Sequence, residues 1–170
     1  MVNCLDDEDG TLKHPAVDSI EDVISFRLMR LNAINERIGH DWLEDIFDLS
    51  LNEWRVLALT RARAPVRAGD ISEMLLMDKS QLSRLLKELI GKHLISSKTD
   101  QRDHHAVGLR LTAKGRNLYG KVMDEVMRRD EQVLEPLTVE EVHQLDAILE
   151  RLISHNISLY HNLVKPHRHS

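Results

Sequence analysis

The spacing of apolar residues changes period twice along the chain, and that double switch limits the fold more than any other feature. From Asp18 onward, Ile20, Ile24, Leu28, Leu31, Ile34 and Ile38 recur at three- and four-residue intervals, as one face of an α-helix requires. Over Ile95–Leu111 the interval falls to two, with Val107, Leu109 and Leu111 alternating as in a half-buried strand. After Thr112 helical spacing resumes. A mainly helical chain interrupted by one β-hairpin satisfies both switches. Aliphatic side chains dominate the 42% apolar content and only 4% of residues are aromatic, which suits helices packed through aliphatic stripes.

Local signals divide the chain further. Residues 1–17 hold Asp6, Asp7, Glu8, Asp9, Gly10 and Pro15 without periodicity and are expected to be a flexible acidic lead-in. A first helix follows within 18–48, running to Gly39 or a little beyond. Ser50 and Glu53 have the spacing of a capping box, so a second helix starts there, turns Trp54, Leu57 and Ala58 inward, and ends near Ala64-Pro65. A short third helix over about Arg67–Met77 is expected to bury Ile71, Met74 and Leu75. Asp78 is a good N-cap for a fourth, whose stripe is Leu82, Leu85, Leu86, Leu89 and Ile90, with Gly91 at its exit. The hairpin closes through a polar turn at Asp100–Asp103. A long helical segment through Leu118, Val122, Met123 and Val126 breaks near Pro136. Thr138 and Glu141 open a last helix carrying Val142, Leu145, Leu149, Leu152 and Ile153 towards Tyr160, and residues 163–170 are expected to be a disordered tail.

Charge is distributed unevenly. The net charge is −5, yet residues 55–116 hold 13 Lys+Arg against 6 Asp+Glu, a local +7, while the rest holds 10 against 22, a local −12. Fields act within a Debye length of about 8–10 Å, so the middle can attract phosphates while the ends stay acidic. Basic residues on solvated helices also cluster by chance, and charge alone makes a weak case. No apolar run approaches the roughly 20 residues of a membrane span. With the single cysteine, Cys4, this points to a cytoplasmic protein without an intrachain disulfide. Cys4 sits among carboxylates that disfavour its thiolate, which argues against redox sensing. His104 and His105 are adjacent on an expected strand and point to opposite faces, so no metal or other cofactor is expected. Catalytic motifs are absent, and no enzyme activity is expected: there is no G-x-S-x-G, no H-E-x-x-H and no phosphate-binding Gly loop.

Two short helices followed by a two-stranded ribbon have the plan of a winged helix-turn-helix, in which the second helix enters the major groove and the ribbon touches the flanking backbone. With its leucines buried, the fourth helix would display Lys79, Ser80, Gln81, Ser83, Arg84 and Lys87. Gln and Arg pair bidentately with adenine and guanine edges, while Ser and Lys suit phosphates and less selective contacts. The helix start near Lys79 and Ser80 would also offer free amides to a phosphate. An isolated amphipathic helix would show Arg84 and Lys87 merely solvated. A basic hairpin carrying Arg102, His104 and His105 directly afterwards favours DNA.

These residues carry a family resemblance. Leu51-Asn52-Glu53-Trp54-Arg55-Val56-Leu57, Met77-Asp78-Lys79-Ser80-Gln81-Leu82-Ser83-Arg84 and Gly91-Lys92-His93-Leu94-Ile95 resemble the second helix, the recognition-helix entry and its exit in MarR-family regulators. Asp103-His104-His105-Ala106 and Leu111-Thr112-Ala113-Lys114-Gly115 resemble the family's wing and its return. Each motif is loose alone; their order and spacing over about Ile20–Tyr160 are specific. The resemblance implies a mainly α (α+β) winged helix-turn-helix over 49–112, with a two-stranded wing and long dimerisation helices within 18–48 and 113–162. It implies a homodimer, a palindromic operator, and release of double-stranded DNA by a small-molecule or redox signal, most plainly as a repressor.

An effector pocket would lie where the first and second helices meet the start of the fifth. Arg27 and Arg30 would pair with an acidic effector such as an aromatic carboxylate, and Trp54 would form an apolar wall. The alternative places Trp54 in the core and both arginines in salt bridges. A winged helix that binds protein instead of DNA is the rival function, and would show an apolar face on the fourth helix. The sequence departs from the family at His105, where Arg or Lys is usual, and often at His104. Imidazole titrates near pH 6.5, so operator affinity is expected to rise between pH 8 and pH 6 more steeply than for His105→Arg; equal slopes in a fluorescence-anisotropy titration would assign His105 to packing beneath the wing.

Overall fold

The computed structural model describes residues 17–99 and 107–164. Cys4, the wing tip with Asp100, Arg102, Asp103, His104 and His105, and the C-terminal His167 and His169 lie outside the described residues. A 3₁₀ turn (Ile20–Asp22) leads into α1 (Ile24–Phe47), followed by α2 (Leu51–Arg63), α3 (Ala68–Met74), α4 (Lys79–Gly91), β1 (Ile95–Thr99), β2 (Val107–Leu111), α5 (Ala113–Leu134) and α6 (Val139–Val164). Two compact units divide between Val122 and Met123.

In the first unit α2 is the central helix. Ser50 caps it as its spacing requires: the Glu53 amide donates to Ser50 Oγ at 3.2 Å and the Ser50 amide to Glu53 Oε2 at 2.8 Å. Val56 and Leu57 are fully buried and Trp54 nearly so, stacked on Tyr119 of α5 with ring centroids 5.6 Å apart. The first helix runs past Gly39 to Phe47, within the 18–48 segment expected for it. Gly39 is no stop, but a buried position where a Cβ would already meet Leu51 Cδ1 at 3.7 Å. The true stop is Asp48, whose backbone turns left-handed at φ 51°.

The third helix is shorter than its apolar pattern implied. It ends at Met74, so only Ile71 is buried, while Leu75 is half-buried and Met74 exposed. Along α4, Leu82, Leu86 and Leu89 are buried, Leu85 is half-buried and Ile90 lies at the exposed margin. Gly91 remains helical. The left-handed exit residue is His93 (φ 57°), with the Leu94 amide donating to Leu89 O and the His93 amide to Ile90 O, both at 2.9 Å.

The hairpin is antiparallel, with Ile95 opposite Leu111 and Thr99 opposite Val107. Ile95, Leu109 and Leu111 face the core, as the two-residue alternation anticipates. A connection invisible in the sequence adds a further bridge. Between α2 and α3, Val66 pairs with Leu109 through two backbone bonds of 2.8 and 3.3 Å, which fastens the ribbon to the helix pair.

The start of α5 is fixed by Thr112. Its hydroxyl donates to His93 O at 2.7 Å and accepts from the Gly115 amide at 3.0 Å, while its own amide donates to Leu94 O at 3.0 Å. Helix and chain approach so closely there that a Cβ on Gly115 would lie 2.0 Å from Leu94 O. In the second unit Glu125 takes hydrogen bonds from Arg128 and Arg129, and the Arg128 bond leads in holding its carboxyl down to about 2. Thr138 and Glu141 form the expected reciprocal cap of α6.

Alanine in a helix interior ordinarily gains up to about 1 kcal/mol over glycine. At Gly120, where an added Cβ meets nothing within 4 Å, Gly120→Ala is expected to raise the melting temperature. At Gly115 the sign should invert, with a loss of about 1–3 kcal/mol from overpacking against backbone. Calorimetry on the two variants tests both expectations.

Candidate nucleic-acid interface

Burying the leucine stripe of α4 leaves its other surface to solvent. Lys79, Ser80, Gln81, Ser83, Arg84 and Lys87 are all exposed on this 13-residue helix. Such a helix is roughly 20 Å long and, stripped to one polar face, fits the roughly 12 Å width of a B-DNA major groove. Neither Lys79 nor Lys87 has an ion-pair partner among the described residues, so their charge is not spent within the chain. Between α3 and α4 lies an open cavity of about 650 Å³, with Leu82, Leu86 and Ile90 on its apolar wall and Lys79 and Lys87 beside it.

The start of α4 differs from its sequence reading. Its Gln81 amide is not free for a phosphate, because Asp78 Oδ1 accepts from it at 2.8 Å and also from Ser80 Oγ at 2.6 Å. The Ser80 bond, then the Gln81 amide, hold the Asp78 carboxyl below the usual carboxylate range, assisted by the charge of Arg84. A fixed anion therefore occupies the positive end of the helix. Base-edge contact further along α4 is left as the chemistry this face supports best.

The sequence reading did not single out Arg61 and Arg63, exposed at the end of α2, or Arg110, exposed on β2. They belong to no motif, and only the local excess of positive charge pointed towards them.

The residues considered for an effector are placed apart by their contacts. Arg27 donates to Glu21 O at 2.8 Å and pairs with Asp22 at 3.2 Å; Arg30 is exposed; Trp54 is in the core against Tyr119. None of the three lines the cavity described above or either of two others. One, of about 580 Å³, lies where the ends of α1 and α4 meet the start of α5, beside Phe47, Lys92, Leu118 and Lys121. The other, of about 460 Å³, lies between α1 and α2 beside the Glu36–Arg55 pair, whose atoms are 2.6 Å apart. Among the described residues no three His, Cys, Asp or Glu side chains are grouped to hold a metal, and no helix is long and apolar enough to cross a membrane.

Helices α3 and α4, the ribbon beyond them and the bridge through Val66 define a winged helix-turn-helix. The model of the MarR family matches residues 47–104, which span α2 to the wing. The HTH-type transcriptional regulator PecS of Dickeya dadantii (strain 3937) is 28% identical over 115 residues, covering 66% of this chain and 69% of that protein. Among solved structures, a MarR/EmrR family transcriptional regulator from Acinetobacter sp. ADP1 superposes with a TM-score of 0.75 at 24% identity, covering 82% of this chain and 99% of that one. FabT of Streptococcus pneumoniae, solved in complex with DNA, gives 0.69 at 20% identity, covering 80% and 96%. Over residues 47–104 the chain is similar to MarR-family transcriptional regulators, and its fold is theirs.

The anionic cap has two separable effects. Asp78→Ala removes the cap and is expected to lower the melting temperature, whereas Asp78→Asn keeps an acceptor for the Gln81 amide and should lower it by less, losing only the charge. Because the carboxyl is held below its ordinary value, its contribution is present above pH 3.8 and fades as pH falls through the lowered value. Melting curves of the wild type and Asp78→Asn should therefore converge only in acid.

Proposed function

We propose that this protein is a sequence-specific DNA-binding repressor that holds a palindromic operator as a homodimer. The observation that carries this reading is the exposed face of α4, where Gln81, Arg84 and Lys87 stand clear of the core. Arg84 and Gln81 supply the two side-chain types that pair bidentately with guanine and adenine, and Ser83, Lys79 and Lys87 supply phosphate and sugar contacts. Arg102, His104 and His105 at the wing tip would reach the flanking backbone. The DNA complex of FabT supports the reading at the level of a shared fold.

Dimerisation is supported by apolar surface that the single chain leaves uncovered. Along α1, Ile24, Leu28, Leu31, Ile34 and Ile38 are each 41–51% exposed in one helical stripe. Separately, α6 exposes Ile148, Leu152, Ile153, Ile157 and Leu163. We assign residues 18–48 and 113–162 to dimerisation and 49–112 to DNA. A two-fold pairing would then set two α4 helices about 34 Å apart, one turn of B-DNA. A small-molecule effector, with an aromatic carboxylate as the first class to test and Arg27, Arg30 and Trp54 as first candidates for its site, would release DNA by changing that spacing. A cytoplasmic location follows from this role.

Gel-shift against the DNA upstream of the protein's own coding sequence tests the proposal. Wild type should bind as a dimer with a steep salt dependence, and Arg84→Ala should weaken binding by about 5–150-fold, the equivalent of 1–3 kcal/mol for a bidentate base contact. Absence of a shift at low salt, or an Arg84→Ala variant as tight as wild type, overturns it. A winged helix that binds protein is the less favoured reading, because the exposed face of α4 is polar.

A further inference from the structure

Three non-glycine residues among those described have left-handed backbone: Asp48 at φ 51°, Leu76 at φ 50° and His93 at φ 57°. Asp and His belong to the few side chains that tolerate this region. Both also have a structural reason to be there. Asp48 ends α1 and presents its carbonyl to Lys92 at 2.8 Å, and His93 ends α4 and presents its carbonyl to Thr112 at 2.7 Å.

Leu76 ends α3 in the same way, but a helix end accounts only for the left-handed backbone and not for a leucine in it. A leucine in this conformation costs roughly 1–2 kcal/mol, which glycine or asparagine would avoid. The turn between α3 and α4 imposes the conformation through its own bonds: the Leu76 amide donates to Glu73 O at 3.3 Å, the Met77 amide to Ser72 O at 3.0 Å, and Ser72 Oγ to Met77 O at 2.7 Å. The core gives nothing back, since Leu76 is 68% exposed, more than any other apolar residue of the helix-turn-helix. A strained backbone holding an apolar side chain in water points to a role outside the fold.

Its place names that role. Leu76 stands two residues ahead of Asp78, the N-cap of α4, and the first turn of a reading helix is the part that meets base edges. In that setting the apolar elements of a duplex are the thymine methyl and the deoxyribose. We infer that Leu76 is a DNA-contacting, specificity-determining residue, held by the strained turn so that its side chain packs on apolar atoms of the operator. This rests on the proposed DNA-binding role.

The test uses the full-length protein and a duplex selected by the wild type from a random pool. Leu76→Gly and Leu76→Asn relieve the strain and should raise the melting temperature, while weakening affinity for the selected duplex by about 3–10-fold. Leu76→Met keeps apolar atoms at the site and should recover most of the affinity. Replacing operator thymines one at a time by deoxyuridine removes only the methyl. A loss for wild type at one position that Leu76→Gly does not share assigns the contact to a thymine methyl, and affinity loss in the variants without any such position assigns it to deoxyribose. Stabilised variants that bind within twofold of wild type overturn the inference and leave DNA binding intact. A melting temperature that falls in both variants also overturns it, because the side chain then serves the fold. A wild type that selects no duplex removes the DNA-binding role itself.

Discussion

Lys92 joins three helix ends at one ammonium group. Its Nζ donates to the carbonyl of Asp48 at the end of α1 (2.8 Å) and lies 3.0 Å from Glu53 in the first turn of α2, while Lys92 itself caps α4. Its own carbonyl accepts from Lys114 of α5 at 2.9 Å. Glu53 is only 5% exposed, and a carboxylate so placed is tolerable because a cation and the Ser50 amide satisfy it. Burial pulls the Lys92 pKa down, but the bond and charge of Glu53, with Asp48, outweigh it and leave the pKa raised. The contribution of the charged lysine is therefore still whole at pH 10.5 and fades only as pH rises through the raised value. Through this one group the exit of α4 is registered on α1 and α2, so the angle at which α4 meets its surroundings is set by electrostatics as well as by leucines.

The other end of α4 is fixed differently. Asp78 caps it, and the Ser72–Met77 turn sets its entry. Between these two anchors the helix has little freedom, and its polar face is presented without help from neighbouring side chains. That division separates stability from recognition. Leu82, Leu86 and Leu89 can hold the helix in place whatever occupies positions 80, 81, 83, 84 and 87. The same division explains how an acidic chain can present a basic working surface: charge acts over a Debye length, and residues 55–116 carry the local excess.

Periodicity and capping spacing were reliable guides wherever the governing interaction was local. The Ser50–Glu53 and Thr138–Glu141 boxes, the Asp78 cap, the leucine stripe of α4 and the alternation through Leu109 and Leu111 all depend on residues within a few positions of one another. The misreadings share the opposite cause. Gly39 stood near the expected end of α1 but is a contact with Leu51 inside a helix that runs on to Phe47. Met74 matched an inward position, yet α3 stops there and leaves it in water. At the start of α4, Asp78 takes the Gln81 amide and the Ser80 hydroxyl and so places a carboxylate where the sequence suggested an open phosphate site.

The sequence by itself determined which segments are helix and strand and which face of α4 is polar, because those properties follow from side-chain spacing along one element. Only the tertiary structure decided that Val66 bridges to Leu109, that Lys92 neutralises a buried Glu53, that Gly115 lies against Leu94 and that Leu76 is strained and exposed. Each of those depends on chain segments approaching through space, or on backbone angles imposed by such an approach, and spacing along the chain does not encode them.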